Sequence, residues 1–230
     1  MSNEWLWIIF AIINFSLLLG VYRLFGKTGL FVWIGMATVI ANVQVVKTIE
    51  LFGITATLGN ILYGTAFLAT DILNEKYGKK DAKKAVWLGF STLLVMTFVM
   101  QGALLFTPAE GDIAQSSIET IFGIGPQIAL GSLTAYIVSQ YFDVWIYTKI
   151  RKVFHSNRTL WLRNNASTMI SQLLDSAIFC AIAFYGTYPL DIWLEIFLTT
   201  YIIKFIVAAL DTPFMYWAKS MSRKEEAFND

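Results

Sequence analysis

Seven predominantly apolar stretches, residues 5–22, 30–48, 54–73, 85–106, 121–147, 164–185 and 192–217, dominate this chain, and the shortest of them is 18 residues long. A helix needs roughly 17 to 25 residues to cross about 30 Å of hydrocarbon, so each stretch is long enough for one passage. The chain therefore reads as an all-α, polytopic integral membrane protein with seven transmembrane helices. Composition agrees: 57% hydrophobic and only 14% charged, with mean hydropathy +0.60, is too apolar for a soluble globule of 230 residues. The first stretch has neither a basic lead-in nor a small-residue cleavage site, so it reads as a permanent helix and not a signal peptide.

The connectors between the stretches alternate in sign. Arg23 and Lys27, then Lys76, Lys79, Lys80, Lys83 and Lys84, then Lys149, Arg151, Lys152, Arg158 and Arg163, then Lys219, Arg223 and Lys224 make up fifteen of the 17 basic residues. With seven helices all four groups fall on one face, while Glu50, Glu110, Asp112, Glu119, Asp191 and Glu195 fall on the other. Basic residues are retained in the cytoplasm, which puts the amino terminus outside, the carboxyl terminus inside, and the chain in the cytoplasmic membrane. Trp5, Trp7, Tyr188, Trp193 and Trp217 near helix ends read as interfacial belts.

Several classes of function are disfavoured. A net charge of +1 gives no footprint for nucleic acid. One cysteine, Cys180, excludes an internal disulfide and a cysteine metal cluster, and one histidine, His155, argues against a histidine metal site or a Ser/His/Asp triad. No enzyme, cofactor or metal is expected.

What remains to explain is polarity inside the apolar runs, because a charge at the centre of a membrane helix costs about 2.5 to 3.5 kcal/mol on insertion scales. Asp175 and Gln172 sit in the sixth run. Lys204 sits in the seventh, at a depth that residue counting matches to Asp175, so the two are expected to pair. Asp71, Asn74 and Glu75 stand at i, i+3 and i+4 and share one helical face, with Gly78 expected to cap that helix. Asn42, Gln44 and Lys47 are polar points in the second run; Asn42 either bridges helices or lines a site, and Lys47 either snorkels to the interface or joins that site. Ser139-Gln140-x-x-Asp143 repeats 32 residues later as Ser171-Gln172-x-x-Asp175. Asp143 lies nearer the inner end, so it and Gln140 take a gating or structural role, as does Asp211, whose neighbour Pro213 is expected to kink or loosen the last helix. The substrate site is expected at Asp175.

The order and spacing of four segments resemble the queuosine precursor transporter family, the solitary vitamin-uptake-transporter type. They are Ala41-Asn42-Val43-Gln44-Val45-Val46-Lys47, Thr70-Asp71-Ile72-Leu73-Asn74-Glu75-Lys76-Tyr77-Gly78, Trp161-Leu162-Arg163-Asn164-Asn165-Ala166-Ser167-Thr168 leading into Ser171-Gln172-Leu173-Leu174-Asp175, and Lys204 followed by Asp211-Thr212-Pro213. The resemblance runs from about residue 34 to 217. It implies uptake of 7-deazaguanine bases such as 7-cyano-7-deazaguanine or 7-aminomethyl-7-deazaguanine, precursors of a modified tRNA nucleoside, with Asn42, Lys47, Asp71, Asn74, Glu75, Gln172, Asp175 and Lys204 as the candidate binding set. A carboxylate such as Asp175 or Asp71 can accept from a guanine-like N–H edge, Gln172, Asn42 or Lys204 can meet its carbonyl, and Phe179, Tyr201 or Phe205 can stack on the ring. Family members usually have six helices, so residues 1–28 are expected to be an extra helix, 29–218 the transporter core and 219–230 a cytoplasmic tail.

No nucleotide-binding motif is present, so the chain cannot use ATP by itself; the resemblance implies a solitary secondary carrier, with the membrane subunit of an ATP-driven complex as the alternative. A third reading, a retinal-binding photoreceptor or pump, rests on seven helices and a lysine in the last. Gly125 and Gly131 permit close helix packing of the kind a homo-oligomer uses.

Overall fold

A computed structural model describes residues 2–123, 126–184, 186 and 189–221 of the chain, without the side chains of residues 54, 55 and 126–128. Gly125, Tyr188, Arg223 and Lys224, named above, lie outside the described residues, as do residue 185 and most of the tail. The elements are α1 (Asn3–Gln44), β1 (Thr48–Leu51), β2 (Ile54–Thr57), α2 (Asn60–Lys76), α3 (Lys79–Ala103), α4 (Gln115–Phe122), α5 (Pro126–Val153), α6 (Leu160–Ala183) and α7 (Leu190–Ser220), with a 3-10 turn at Asn157–Thr159. Among the described residues four helical segments, Asn3–Gln44, Lys79–Ala103, Asn157–Ala183 and Leu190–Ser220, are long and apolar enough to cross a membrane.

α1 has 42 residues, and a straight helix of that length would reach about 63 Å. Both of its ends nevertheless meet the same hairpin: Asn3 Nδ2 donates to the Glu50 carbonyl at 3.1 Å, and Glu4 Oε1 accepts from Phe52 N–H at 3.2 Å. The reversal occurs at Gly26, whose φ of 56° and ψ of −137° lie outside the helical region and suit a residue without Cβ. α1 is thus two antiparallel arms. With α2, α3, α5, α6 and α7 it supplies seven arms, among the described residues, that run alternately between the hairpin end and the opposite end.

The hairpin replaces two expected helix ends. Helix was expected to run to residue 48 and to resume at 54; instead α1 stops at Gln44 and β1 pairs antiparallel with β2, Leu51 opposite Ile54. Its β-branched Thr48, Ile49, Ile54, Thr55 and Thr57 favour strand, and Phe52 and Gly53, at φ of 52° and 75°, form the two-residue turn that such hairpins prefer. The fifth expected run is divided too. α4 ends at Phe122, before Gly123, and α5 opens at Pro126, where the missing N–H costs nothing. α3 begins at Lys79 directly after Gly78, which closes α2 with a bond to the Leu73 carbonyl at 2.8 Å. α7 passes through Pro213 as one continuous helix.

The first arm of α1 is built into the core and not laid beside it. Phe15, Leu18 and Leu19 are buried and Phe15 stacks on Phe214 of α7 at 5.0 Å. Trp7, expected at the lipid interface, is buried in the same core, whereas Trp5 and Trp217 are exposed. At the end opposite the hairpin, Lys76 Nζ donates to the carbonyls of Ala218 and Met221 at 2.9 and 2.7 Å, satisfying groups that the end of α7 leaves open. α2 and α7 touch at Gly64, where a Cβ would run into the Val207 side chain. Gly64→Ala is therefore expected to destabilise the protein by about 1–3 kcal/mol, the usual cost of overpacking, with most of the loss recovered in Gly64→Ala/Val207→Ala; thermal unfolding in detergent measures both.

Candidate functional site

Four helices, α2, α5, α6 and α7, carry polar residues at three successive levels. Consecutive levels on α2, marked by Tyr63, Asp71 and Glu75, are separated by about 12 and 6 Å at 1.5 Å per residue. Each helix contributes at least one side chain to each level.

The first level forms the floor of a cavity of about 380 Å³ at the hairpin end, lined by polar Asn42, Asn60 and Ser132, by Tyr136, Phe179 and Phe184, and by Asp175 and Lys204. Lys204 Nζ forms an ion pair with Asp175 Oδ2. Asp175 Oδ1 accepts from Tyr63 Oη at 2.8 Å and from Ser139 Oγ at 2.9 Å, and the Lys204 ammonium lies 5.1 Å from the centre of the Tyr63 ring. Asp175 is 3% exposed and Lys204 9%, so the pair is buried yet borders open space. A carboxylate offers about four acceptor sites and an ammonium three donors. With these bonds made, the pair still presents an acceptor on Oδ2 beside free N–H donors on Lys204.

The second level is acidic. Asp71, Asp143 and Asp211, from α2, α5 and α7, are all buried. Thr168 Oγ1 donates to Asp71 Oδ2 at 3.2 Å, Ser171 Oγ to Asp143 Oδ1 at 2.8 Å, and Asn164 Nδ2 to Asp211 Oδ1 at 2.6 Å. Asp71 Oδ1, Asp143 Oδ2 and Asp211 Oδ2 find no donor, and among the described residues no Lys or Arg forms an ion pair with any of the three.

The third level is basic around one anion. Glu75, almost fully buried, takes Arg163 at 2.7 and 3.0 Å, Arg151 at 3.3 Å, Lys219 and the Tyr147 hydroxyl at 3.0 Å. Arg163 has no exposed surface and also donates to the carbonyls of Phe154 and Ser156, so all three of its nitrogens are engaged. This level closes the end opposite the cavity.

The repeated Ser-Gln-x-x-Asp segments explain how the first two levels are joined. α5 and α6 run antiparallel, so the serine of each copy reaches the aspartate of the other: Ser139 bonds Asp175 and Ser171 bonds Asp143. Ser and Asp at i and i+4 share a helical face, which lets one face of each helix serve both bonds.

The expected binding residues are thereby divided. Asn42, Asp175 and Lys204 line the cavity; Asn42 Nδ2 also bonds the Thr38 carbonyl at 2.8 Å. Lys47 is exposed in the turn beyond α1, apart from the cavity, because the helix ends before it. Asp71 lies at the second level. Asn74 and Glu75 lie at the third, where Asn74 bonds Val144 and Thr148 on α5. Gln172 and Gln140 are buried outside the cavity lining. Of the three expected stacking rings only Phe179 borders the cavity; Tyr201 packs edge-on to Phe205, which is 40% exposed. Tyr63, Ser139 and Tyr136 were not foreseen. A tyrosine inside the apolar α2 was the available signal for the first of them.

The model of the family described as "Putative vitamin uptake transporter" matches residues 57–218. The "Probable queuosine precursor transporter" of Bacillus subtilis (strain 168) is 62% identical over 98% of this chain and 99% of its own length. The "Queuosine precursor transporter" of Escherichia coli (strain K12) is 25% identical over 73% of this chain and 74% of its own length. A "Probable queuosine precursor transporter" of Haemophilus influenzae is 24% identical over 69% and 66% of the two chains. No solved structure matches.

Proposed function

The chain belongs to the vitamin uptake transporter family that includes the queuosine precursor transporters, and from that premise we propose that it carries queuosine precursors into the cell, with a 7-deazaguanine base seated on the Asp175–Lys204 pair. It is a multi-pass protein of the cell membrane. The observation that carries the binding reading is the floor of the cavity: one acceptor beside several donors. A guanine-like edge presents an N–H beside a carbonyl, so Asp175 Oδ2 receives the N–H while Lys204 Nζ meets the carbonyl oxygen. Both lone pairs of Asp175 Oδ1 already serve Tyr63 and Ser139, which favours this arrangement over one in which the carboxylate grips two N–H groups. Tyr136 and Phe179 supply ring faces for the flat base, and Asn42 a further polar contact at the wall.

The seven arms are read as seven passes, with the hairpin end outside and the basic end inside. The 42-residue α1, folded at Gly26, accounts for two of them and removes any need for a helix twice the bilayer thickness. Residues 1–28 form the additional helix, 29–218 the six-helix core and 219–230 the tail. In this orientation the cavity faces outward and the Glu75 level is the closed inner gate, the state in which a carrier awaits its cargo. Membership of the family and the carboxyl groups buried inside the helix bundle support a solitary secondary carrier.

The purified protein in proteoliposomes, with no partner protein, is expected to take up labelled 7-aminomethyl-7-deazaguanine saturably and to lose that uptake to excess unlabelled 7-cyano-7-deazaguanine. Uptake only after addition of an ATP-hydrolysing partner would transfer the protein to the alternative reading, the membrane subunit of a larger complex. Failure to bind either base overturns the proposal.

A further inference from the structure

The second level plays no part in holding the cargo, yet it gathers three carboxyl groups in the protein interior with no cation paired to them among the described residues. We infer that Asp71 and Asp143 share one bound proton and form the site through which this carrier couples cargo movement to a proton gradient; the coupling half of the inference rests on the transport reading above.

The geometry is specific. Asp71 of α2 and Asp143 of α5 are tied to neighbouring hydroxyls on one face of α6, Thr168 Oγ1 and Ser171 Oγ, and Ser171 Oγ also bonds the Thr168 carbonyl at 3.0 Å. Ionised carboxylates only accept, so the two can satisfy each other's open oxygens only when one of them carries a proton. The protein supplies each with one hydroxyl, Thr168 Oγ1 and Ser171 Oγ, and leaves Asp71 Oδ1 and Asp143 Oδ2 with no other donor. Gln140, one turn before Asp143 on the same helical face, is fully buried with neither amide atom partnered, so polar capacity continues from the pair toward the cavity. The adjoining Ser139 already bonds Asp175 at the cavity floor.

The charged and titratable groups facing the pair come from every helix around it. Asp211 approaches from α7 and is bonded to Asn164 of α6. Tyr147 of α5 lies on the far side, bonded to Glu75 of α2, which Arg151, Arg163 and Lys219 neutralise. Toward the cavity stand Asp175 and Lys204, neutralised by each other. Among the described residues the second and third levels together hold four carboxyl groups, Asp71, Asp143, Asp211 and Glu75, against three cations, Arg151, Arg163 and Lys219, so one bound proton balances them. The pair lies between the cavity floor and the inner gate. A rearrangement that opens one and closes the other moves the proton's access with it: the proton binds from outside and leaves inside, and nothing is oxidised or reduced.

Two measurements test this. Infrared spectra of the wild-type protein in lipid are expected to contain the carbonyl stretch of a protonated carboxyl group at neutral pH, a band that disappears in Asp143→Asn. This arm needs no cargo, and its absence in the wild type overturns the proposal. In proteoliposomes, an external pH one unit below the internal one is expected to raise accumulation of labelled 7-aminomethyl-7-deazaguanine about tenfold in the wild type. Asp143→Asn is expected to lose that dependence while exchanging labelled for unlabelled base at equal pH within about threefold of wild type. Wild-type accumulation indifferent to the gradient overturns coupling, as does a gradient response unchanged in the variant. If the wild type moves no 7-deazaguanine at all, the cargo reading and the coupling that rests on it fall together, and the infrared band alone judges the shared proton.

Discussion

Asp175→Asn is expected to lower 7-deazaguanine uptake at least about 100-fold while protein still reaches the membrane. Two effects combine. The substitution removes the anionic acceptor that the cargo N–H meets, and it leaves the Lys204 ammonium, 9% exposed, without its counter-charge. Removing one partner of a buried ion pair costs about 3–5 kcal/mol, more than the pair contributes relative to a well-packed apolar substitute. The two effects separate in Asp175→Asn/Lys204→Met, which removes both charges. Thermal stability in that double variant is expected to return close to wild type, while uptake stays abolished because both recognition groups are gone. Uptake assays alongside thermal unfolding of the purified proteins distinguish the outcomes, and normal uptake by Asp175→Asn would falsify the assignment of the cavity floor as the binding site.

Glu75→Gln is expected to loosen the opposite end. Glu75 is the single anion among Arg151, Arg163 and Lys219, and Arg163 has no exposed surface through which water could solvate its charge. The loss is again about 3–5 kcal/mol, and it falls on the contacts that join α2, α5, α6 and α7 at that end. If this level is the inner gate, the variant exposes the space behind it. A cysteine placed at buried Ser167, in a Cys180→Ala background, is expected to react with a membrane-impermeant maleimide from the cytoplasmic side at least about tenfold faster when Glu75→Gln is present. Equal labelling rates with and without Glu75→Gln would leave Glu75 as a structural clamp and not a gate.

The meeting of Lys204 with Asp175 was foreseeable from residue counts because helix rise fixes depth and both residues lie near the middle of adjacent apolar runs. The same counting failed for Asp71, Asn74 and Glu75. They share a helical face, but four residues shift depth by about 6 Å, enough to place Asp71 among carboxylates and Glu75 among cations. Lys47 was misplaced for a different reason. Its run is predominantly apolar, and hydropathy does not mark where a helix gives way to a hairpin of β-branched residues. The serines of the repeated segment were visible as a pattern, but their reciprocal bonds to Asp143 and Asp175 required α5 and α6 to be antiparallel neighbours in one register.

By itself the sequence determined that the chain is helical, that it lives in a bilayer, and which of its charges must be buried. These follow from run length, from charge sign in the connectors and from the cost of an ion in hydrocarbon, all of which can be read locally. Only the tertiary structure decided that the buried charges separate into a cavity floor, an acidic middle level and a basic closure. That division depends on helix rotation and neighbourhood, which are set by packing between residues far apart in the chain: Gly64 against Val207, Phe15 against Phe214, Ser139 against Asp175.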